Sequence, residues 1–263
     1  MYLRRIVTAL ALAAVFTGVV QADPTGLGIE VTPAKLDAEL EPGQLVNLPL
    51  TVHNGGIDVQ HVQASMVDFD LSPTGQYRFV RTGTLPDSLL KYASIRPREF
   101  DLPPGTSQQV QLTIQLPKAH SLSGELAGIV FFQTRPTRHA GQNVALSVRV
   151  ASKLYIAIPN TVKLDGAITK MTAETTSSGQ TYRVSFKNNG NAHVYLRGEL
   201  LVQRGGALAE RIPIPENLLV ERGQTRTIEV NGKKLAAGQY QAIATIDYGG
   251  KTETGGAIAV DVR

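Results

Sequence analysis

The chain has 263 residues, a formal net charge of +4, 18% charged residues and no cysteine. That excludes a disulfide framework, thiolate metal sites and thiol catalysis together, so stability must come from burial. Twenty-five glycines and fourteen prolines, few long apolar runs and no sustained helical period point to an all-β protein with many turns.

The N-terminus reads MYLRR, then the apolar run IVTALALAAVFTGVV, then Gln21 and Ala22. A basic start, an apolar core and small residues at Val20 and Ala22 predict a secretory signal over residues 1–22, cleaved after Ala22. The run falls short of the roughly 20 residues a membrane span needs, and no other segment approaches that length. The expected mature chain is exported and has no transmembrane segment.

From Leu27 onward, short alternating runs are separated by turn signals. IEVTPAKLDAEL precedes Glu41-Pro42-Gly43-Gln44; LVNLPLTVHN breaks at Asn54-Gly55-Gly56; VQHVQASMVDFDL ends at Ser72-Pro73-Thr74-Gly75. YRFV, IRPREFDL, QQVQLTIQL and GELAGIVFFQTRP follow, and only LPDSLLKYA at 85–93 reads as loop or weak helix. About seven strands at hairpin spacing predict an immunoglobulin-like sandwich over residues 23–158. After Pro159 a second set begins, with Asn188-Asn189-Gly190-Asn191 as a bend and Gly249-Gly250 as a hairpin turn. It predicts a second sandwich over 159–263. There Tyr240, two residues before Ala242, has the spacing of a tyrosine corner; Leu126 stands at the analogous place in the first half.

Residues 143–159, NVALSVRVASKLYIAIP, form the longest alternating run. Val144, Leu146, Val148, Val150, Leu154, Ile156 and Ile158 share one parity and so one strand face, while Lys153 has the opposite parity. Such a comb either packs inside its own sandwich or serves a surface outside its own domain.

Signs of catalysis are missing. His53, His61, His120, His139 and His193 are scattered with no metal-ligand spacing, and read as exposed loop or strand-face residues. No nucleophile elbow or phosphate-binding loop occurs, and Asp68 and Asp70 read as a solvated strand face. No enzyme activity, cofactor or metal is expected. Arg96, Arg98 and Arg149 form no basic block, which argues against nucleic acid.

Four segments of the first half resemble the PapD-like periplasmic chaperones of fimbrial assembly: VTPAK at 31–35, LPLTVHN at 48–54, IRPREFDLPPGTSQQVQL at 95–112 and KLY at 153–155. The second half resembles that family only loosely. The resemblance implies a periplasmic chaperone that caps pilin or fimbrial subunits by donating a β-strand, and that can hand them to an outer-membrane usher. It implies Val144, Leu146 and Val148 as donor side chains. It also implies Lys35 and Lys153 as the pair that anchors the subunit's terminal carboxylate. Two positions depart from the family pattern. Lys35 stands where arginine is usual and cannot form a bidentate fork, and Ile158 stands where an arginine usually joins an interdomain ion-pair network. A competing reading is a cell-surface or wall-associated adhesion protein of two sandwiches. A self-capping dimer through an exposed strand edge is a further expectation for either.

Overall fold

A computed structural model describes residues 28–118, 122–136 and 145–263. The expected signal segment, residues 1–22, and Val144 lie outside the described residues. Among the described residues ten strands precede position 158: β1 (Ile29–Thr32), β2 (Lys35–Glu39), β3 (Leu45–Asn54), β4 (Gln60–Leu71), β5 (Tyr77–Val80), β6 (Ala93–Arg96), β7 (Glu99–Leu102), β8 (Ser107–Gln115), β9 (Glu125–Thr134) and β10 (Arg149–Ala157). Seven follow: β11 (Gly166–Thr176), β12 (Gly179–Asn188), β13 (Val194–Arg204), β14 (Ala207–Val220), β15 (Thr225–Gly232), β16 (Gly238–Asp247) and β17 (Thr254–Val262).

They pair into four sheets. The first sandwich sets β1-β3-β8-β6 against β2-β10-β9-β4-β5, with β7 also on β4; the second sets β11-β12-β15 against β14-β13-β16-β17. The fold is two tandem immunoglobulin-like β-sandwiches, as turn spacing and alternation implied. The alternation acts directly: in β8, Val110, Leu112 and Ile114 are fully buried while Gln109, Gln111 and Thr113 turn outward. Those side chains meet Leu50, Val52, Phe132, Leu154 and Ile156 in one core. Each such burial stabilises the fold by about 1.5–3 kcal/mol before ordering costs. A second core joins Tyr182, Val184 and Phe186 to Leu200, Val202 and Ile246.

Two runs that read as single strands are each split at a proline. IEVTPAKLDAEL divides at Pro33, with β1 pairing β3 and β2 pairing β10; IRPREFDL divides at Pro97, with β6 pairing β8 and β7 pairing β4. Proline has no N–H to give a ladder, so the chain changes sheets there. The LPDSLLKYA segment contains a 3-10 turn, Leu89–Lys91, started by Ser88, whose hydroxyl accepts from the Leu90 N–H.

Both sandwiches use the same asparagine device at a strand end. Asn54 is fully buried; its amide donates to the carbonyls of Asp58 and Leu102, and its oxygen accepts from the Gly56 N–H. Asn188 repeats this with the carbonyls of Ala192 and Val220 and the N–H of Gly190. Each satisfies backbone groups that the ladder leaves over where a strand turns. Tyr240 donates its hydroxyl to the Ala236 carbonyl at 3.0 Å, the hydrogen bond of a tyrosine corner.

Asp68 and Asp70 are not a solvated face. Asp68 is 1% exposed and accepts from the Thr84 and Leu85 N–H groups and the Ser88 hydroxyl, clipping the 82–88 loop to β4. Asp70 is held by the Arg78 guanidinium across the β4–β5 hairpin. Parity placed both on one face; the 82–88 loop covers Asp68 and the Arg78 side chain covers Asp70.

Candidate functional site

The site lies where β2 and β10 run beside each other at the junction of the two sandwiches. Two bonds fix their register: the Ser152 hydroxyl donates to the Pro33 carbonyl at 2.7 Å, and the Lys153 N–H donates to the Ala34 carbonyl at 3.0 Å. The pairing is parallel and sets Lys153 directly opposite Lys35, on one face of the sheet. The two lysines singled out from the sequence are therefore brought together.

Lys35 leans over two aromatic rings, Tyr155 at 5.1 Å and Tyr195 at 4.8 Å, a favourable setting for a cation. Its ammonium donates to the Tyr195 hydroxyl at 2.9 Å and pairs with Asp37 at 2.9 Å. Burial works against its charge, but the hydrogen bonds it gives to Tyr195 and Asp37 outweigh that and hold its pKa above the ordinary lysine value. Lys153 donates to the Tyr77 hydroxyl at 3.1 Å.

Tyr195 belongs to β13, so the second sandwich completes the surroundings of Lys35. His193, just before β13, stacks on Tyr155 at 4.2 Å and pairs through Nδ1 with Glu125 at 2.7 Å. Its side chain is only 12% exposed, so it is not the exposed turn residue the sequence suggested. The Tyr155 hydroxyl donates to Glu221 at 2.6 Å, and burial raises the pKa of both groups, most of all the tyrosine. Asn191 clasps the connecting segment, its oxygen accepting from the Lys163 N–H and its amide donating to the Thr161 carbonyl. The Glu125 N–H donates to the Asn191 carbonyl, and a side chain on Gly124 (φ +76°) would run into that same carbonyl. At the hairpin tip, the Thr227 N–H donates to the Pro73 carbonyl at 2.8 Å. These contacts, rather than an ion pair at Ile158, join the sandwiches. Ile158 is buried in the first core.

Leu154, Ile156 and Ile158 of the comb are core residues of their own sandwich. Val148 is half-buried and packs partly against that core, while Leu146 is 40% exposed. The apolar face thus emerges from the core toward its N-terminal end. On its β9 side, β10 is paired from Arg149 to Ala157, but on its β2 side pairing begins only at Lys153. Among the described residues no strand is hydrogen-bonded to that edge from Arg149 to Ser152, although β1, which pairs β3 in the facing sheet, passes close to β10. The orientation of its amides follows from alternation. Val148 exchanges bonds with Thr134 on the β9 side, and Lys153 donates to the β2 side, so the Arg149 and Ala151 N–H groups point along the open edge.

Among the described residues, no group of three or more histidines and acids is placed to hold a metal, and no helix is long and apolar enough to cross a membrane.

No family model matches the sequence, and no curated protein sequence matches it. Solved structures similar in layout include the class 5 fimbriae chaperone CfaA, at 13% identity and TM-score 0.49 over 90% of this chain and 100% of that one. The E. coli chaperone DraB is similar at 16% identity and TM-score 0.44, over 90% and 97%. A chain of the Salmonella enterica SafA pilin–SafB chaperone complex is similar at 14% identity and TM-score 0.45, over 90% and 97%.

Proposed function

We propose that this chain is a periplasmic chaperone that captures fimbrial or pilus subunits by lending them a β-strand. The observation that carries the reading is the edge of β10 at Arg149–Ser152, unpaired among the described residues, which runs directly into the register-paired residues Lys153 and Lys35. An added strand on that side satisfies the free backbone groups of both chains. β2 occupies the same side further along and runs parallel to β10, so a guest strand in line with it ends where β2 begins. A guest running parallel places its C-terminal carboxylate on the two lysines; one running antiparallel places its charged amino group there instead. Electrostatics therefore selects the parallel guest with a free C-terminus.

Val144, Leu146 and Val148 are the side chains lent to the guest; Leu146 and Val148 just precede β10, where the apolar face leaves its own core. The leader of residues 1–22 carries the chain to the periplasm, where unpaired subunits are exposed to aggregation. Handing the subunit on to an outer-membrane usher is the corresponding next step.

The test is recovery of a subunit whose own sandwich lacks a strand, by the wild type and by Lys35→Ala and Lys153→Ala. Both variants are expected to remain folded and to lose capture. Normal capture by both contradicts the reading.

A further inference from the structure

The two lysines differ in what already holds them. The Lys35 ammonium has three N–H bonds to give, and three acceptors surround it: the Tyr195 hydroxyl at 2.9 Å, Asp37 Oδ2 at 2.9 Å and His193 Nε2 at 3.4 Å. The Glu125 carboxylate faces His193 Nδ1, so that nitrogen carries the proton and Nε2 turns its lone pair to the ammonium. Among the described residues Lys153 by contrast makes a single side-chain hydrogen bond, to the Tyr77 hydroxyl, lies over that ring, and acts by its charge on the buried Glu221 carboxylate. An incoming carboxylate reaches Lys153, which has no carboxylate partner of its own in an ion pair, in exchange for at most a neutral phenol, but reaches Lys35 only in exchange for one of its three partners.

Those partners are not equally movable. His193 is clamped by Glu125 and sandwiched between the rings of Tyr155 and Tyr195, at 4.2 and 5.4 Å. Tyr195 lies within β13. Asp37 stands two residues along β2 from Lys35, on the same face, with its side chain 54% exposed. It is the one carboxylate of the three and the one most readily returned to water.

We propose that Asp37 is a resident substitute for the guest's terminal carboxylate. It neutralises Lys35 in the empty chain, is displaced on capture, and so sets how tightly the anchor holds. This rests on the capture reading above. Asp37 also explains how two like charges can stand opposite each other on neighbouring strands, an arrangement that is otherwise destabilising. Being half-exposed, the pair is weak, so a guest carboxylate gripped by both lysines can outcompete it.

The experiment uses the full chain and a short synthetic peptide of alternating valine and threonine, with either a free C-terminal carboxylate or a C-terminal amide. Affinity is read by fluorescence anisotropy at low salt for wild type, Asp37→Asn and Asp37→Ala. Both variants are expected to bind the carboxylate peptide about two- to five-fold more tightly than wild type, with the amide peptide unchanged. An equal preference for carboxylate over amide in all three proteins overturns the role of Asp37 and leaves the anchor standing. No preference in any of them overturns both. Tighter binding of both peptides alike also overturns the proposal, because it marks a general change in the strand rather than release of a carboxylate site.

Discussion

Lys35 and Lys153 are directly opposed partners on adjacent parallel strands, with side chains on one face of the sheet at the junction of the two sandwiches. Juxtaposed like charges cost energy unless something neutralises them, and here Asp37 attends Lys35 while Lys153 turns to a phenol. The proposed capture reading has both lysines hold one guest carboxylate.

One consequence is non-additivity. If both lysines hold the same carboxylate, removing either leaves a weakened site and removing the second costs little more. Lys35→Ala and Lys153→Ala should each reduce affinity for a carboxylate-ended guest by about 1.5–3 kcal/mol, with the double variant well short of the sum. Calorimetric titration of the four proteins checks this, and strict additivity contradicts a shared anion.

The interdomain contact between Tyr155 and Glu221 carries a pH signature. Burial raises the Glu221 pKa above its ordinary value of 4.5, opposed by the hydrogen bond from Tyr155. The folded chain therefore keeps that proton to a higher pH than the unfolded chain does. The group's contribution to stability is fully present below the unfolded value and falls as pH rises through the raised folded value. Glu221→Gln keeps an acceptor for Tyr155 without the charge, so its Tm relative to wild type should be higher at pH 8 than at pH 4. An equal difference at both pH values contradicts the raised carboxyl.

The paired asparagine turns predict matched losses in the two sandwiches. Asn54→Ala and Asn188→Ala each remove three hydrogen bonds to backbone groups, two buried and one partly buried. Each should cost about 2–4 kcal/mol in chemical denaturation. A loss below about 0.5 kcal/mol, the range of an ordinary surface change, contradicts the role given to these side chains.

Tyr240→Phe tests the corner in the second sandwich. It deletes only the hydroxyl that donates to the Ala236 carbonyl, and should destabilise by about 1 kcal/mol while leaving peptide binding untouched. Denaturation and titration on the same preparation separate the two effects.

Much of the fold could be read from local pattern, because a buried strand face repeats every second residue and turns need glycine, proline or asparagine. The comb from Val150 to Ile158 and the alternation in QQVQLTIQL are of this kind. The pairing of Lys35 with Lys153 is not local, since it depends on β2 joining β10 in parallel across most of the first sandwich. Nor are the partners that complete the site: Tyr195 lies 160 positions from Lys35, and His193 lies 68 from Glu125. A signal for Glu125 and Glu221 was present in the sequence, as lone acids beside the apolar runs LAGIVFF and NLLV. A charge in such a place needs a buried partner. Asp68 misled for the opposite reason, because its cover comes from the 82–88 loop, whose path no alternation records.

Strand addition itself is tested most directly by residue-resolved amide hydrogen exchange across β10, with and without the carboxylate-ended peptide. The Arg149 and Ala151 N–H groups point along the open edge, whereas those of Val150 and Ser152 face β9. Binding should slow exchange at Arg149 and Ala151 and leave Val150 and Ser152 as they were. Unchanged exchange at Arg149 and Ala151 under saturating peptide would contradict capture by a lent strand.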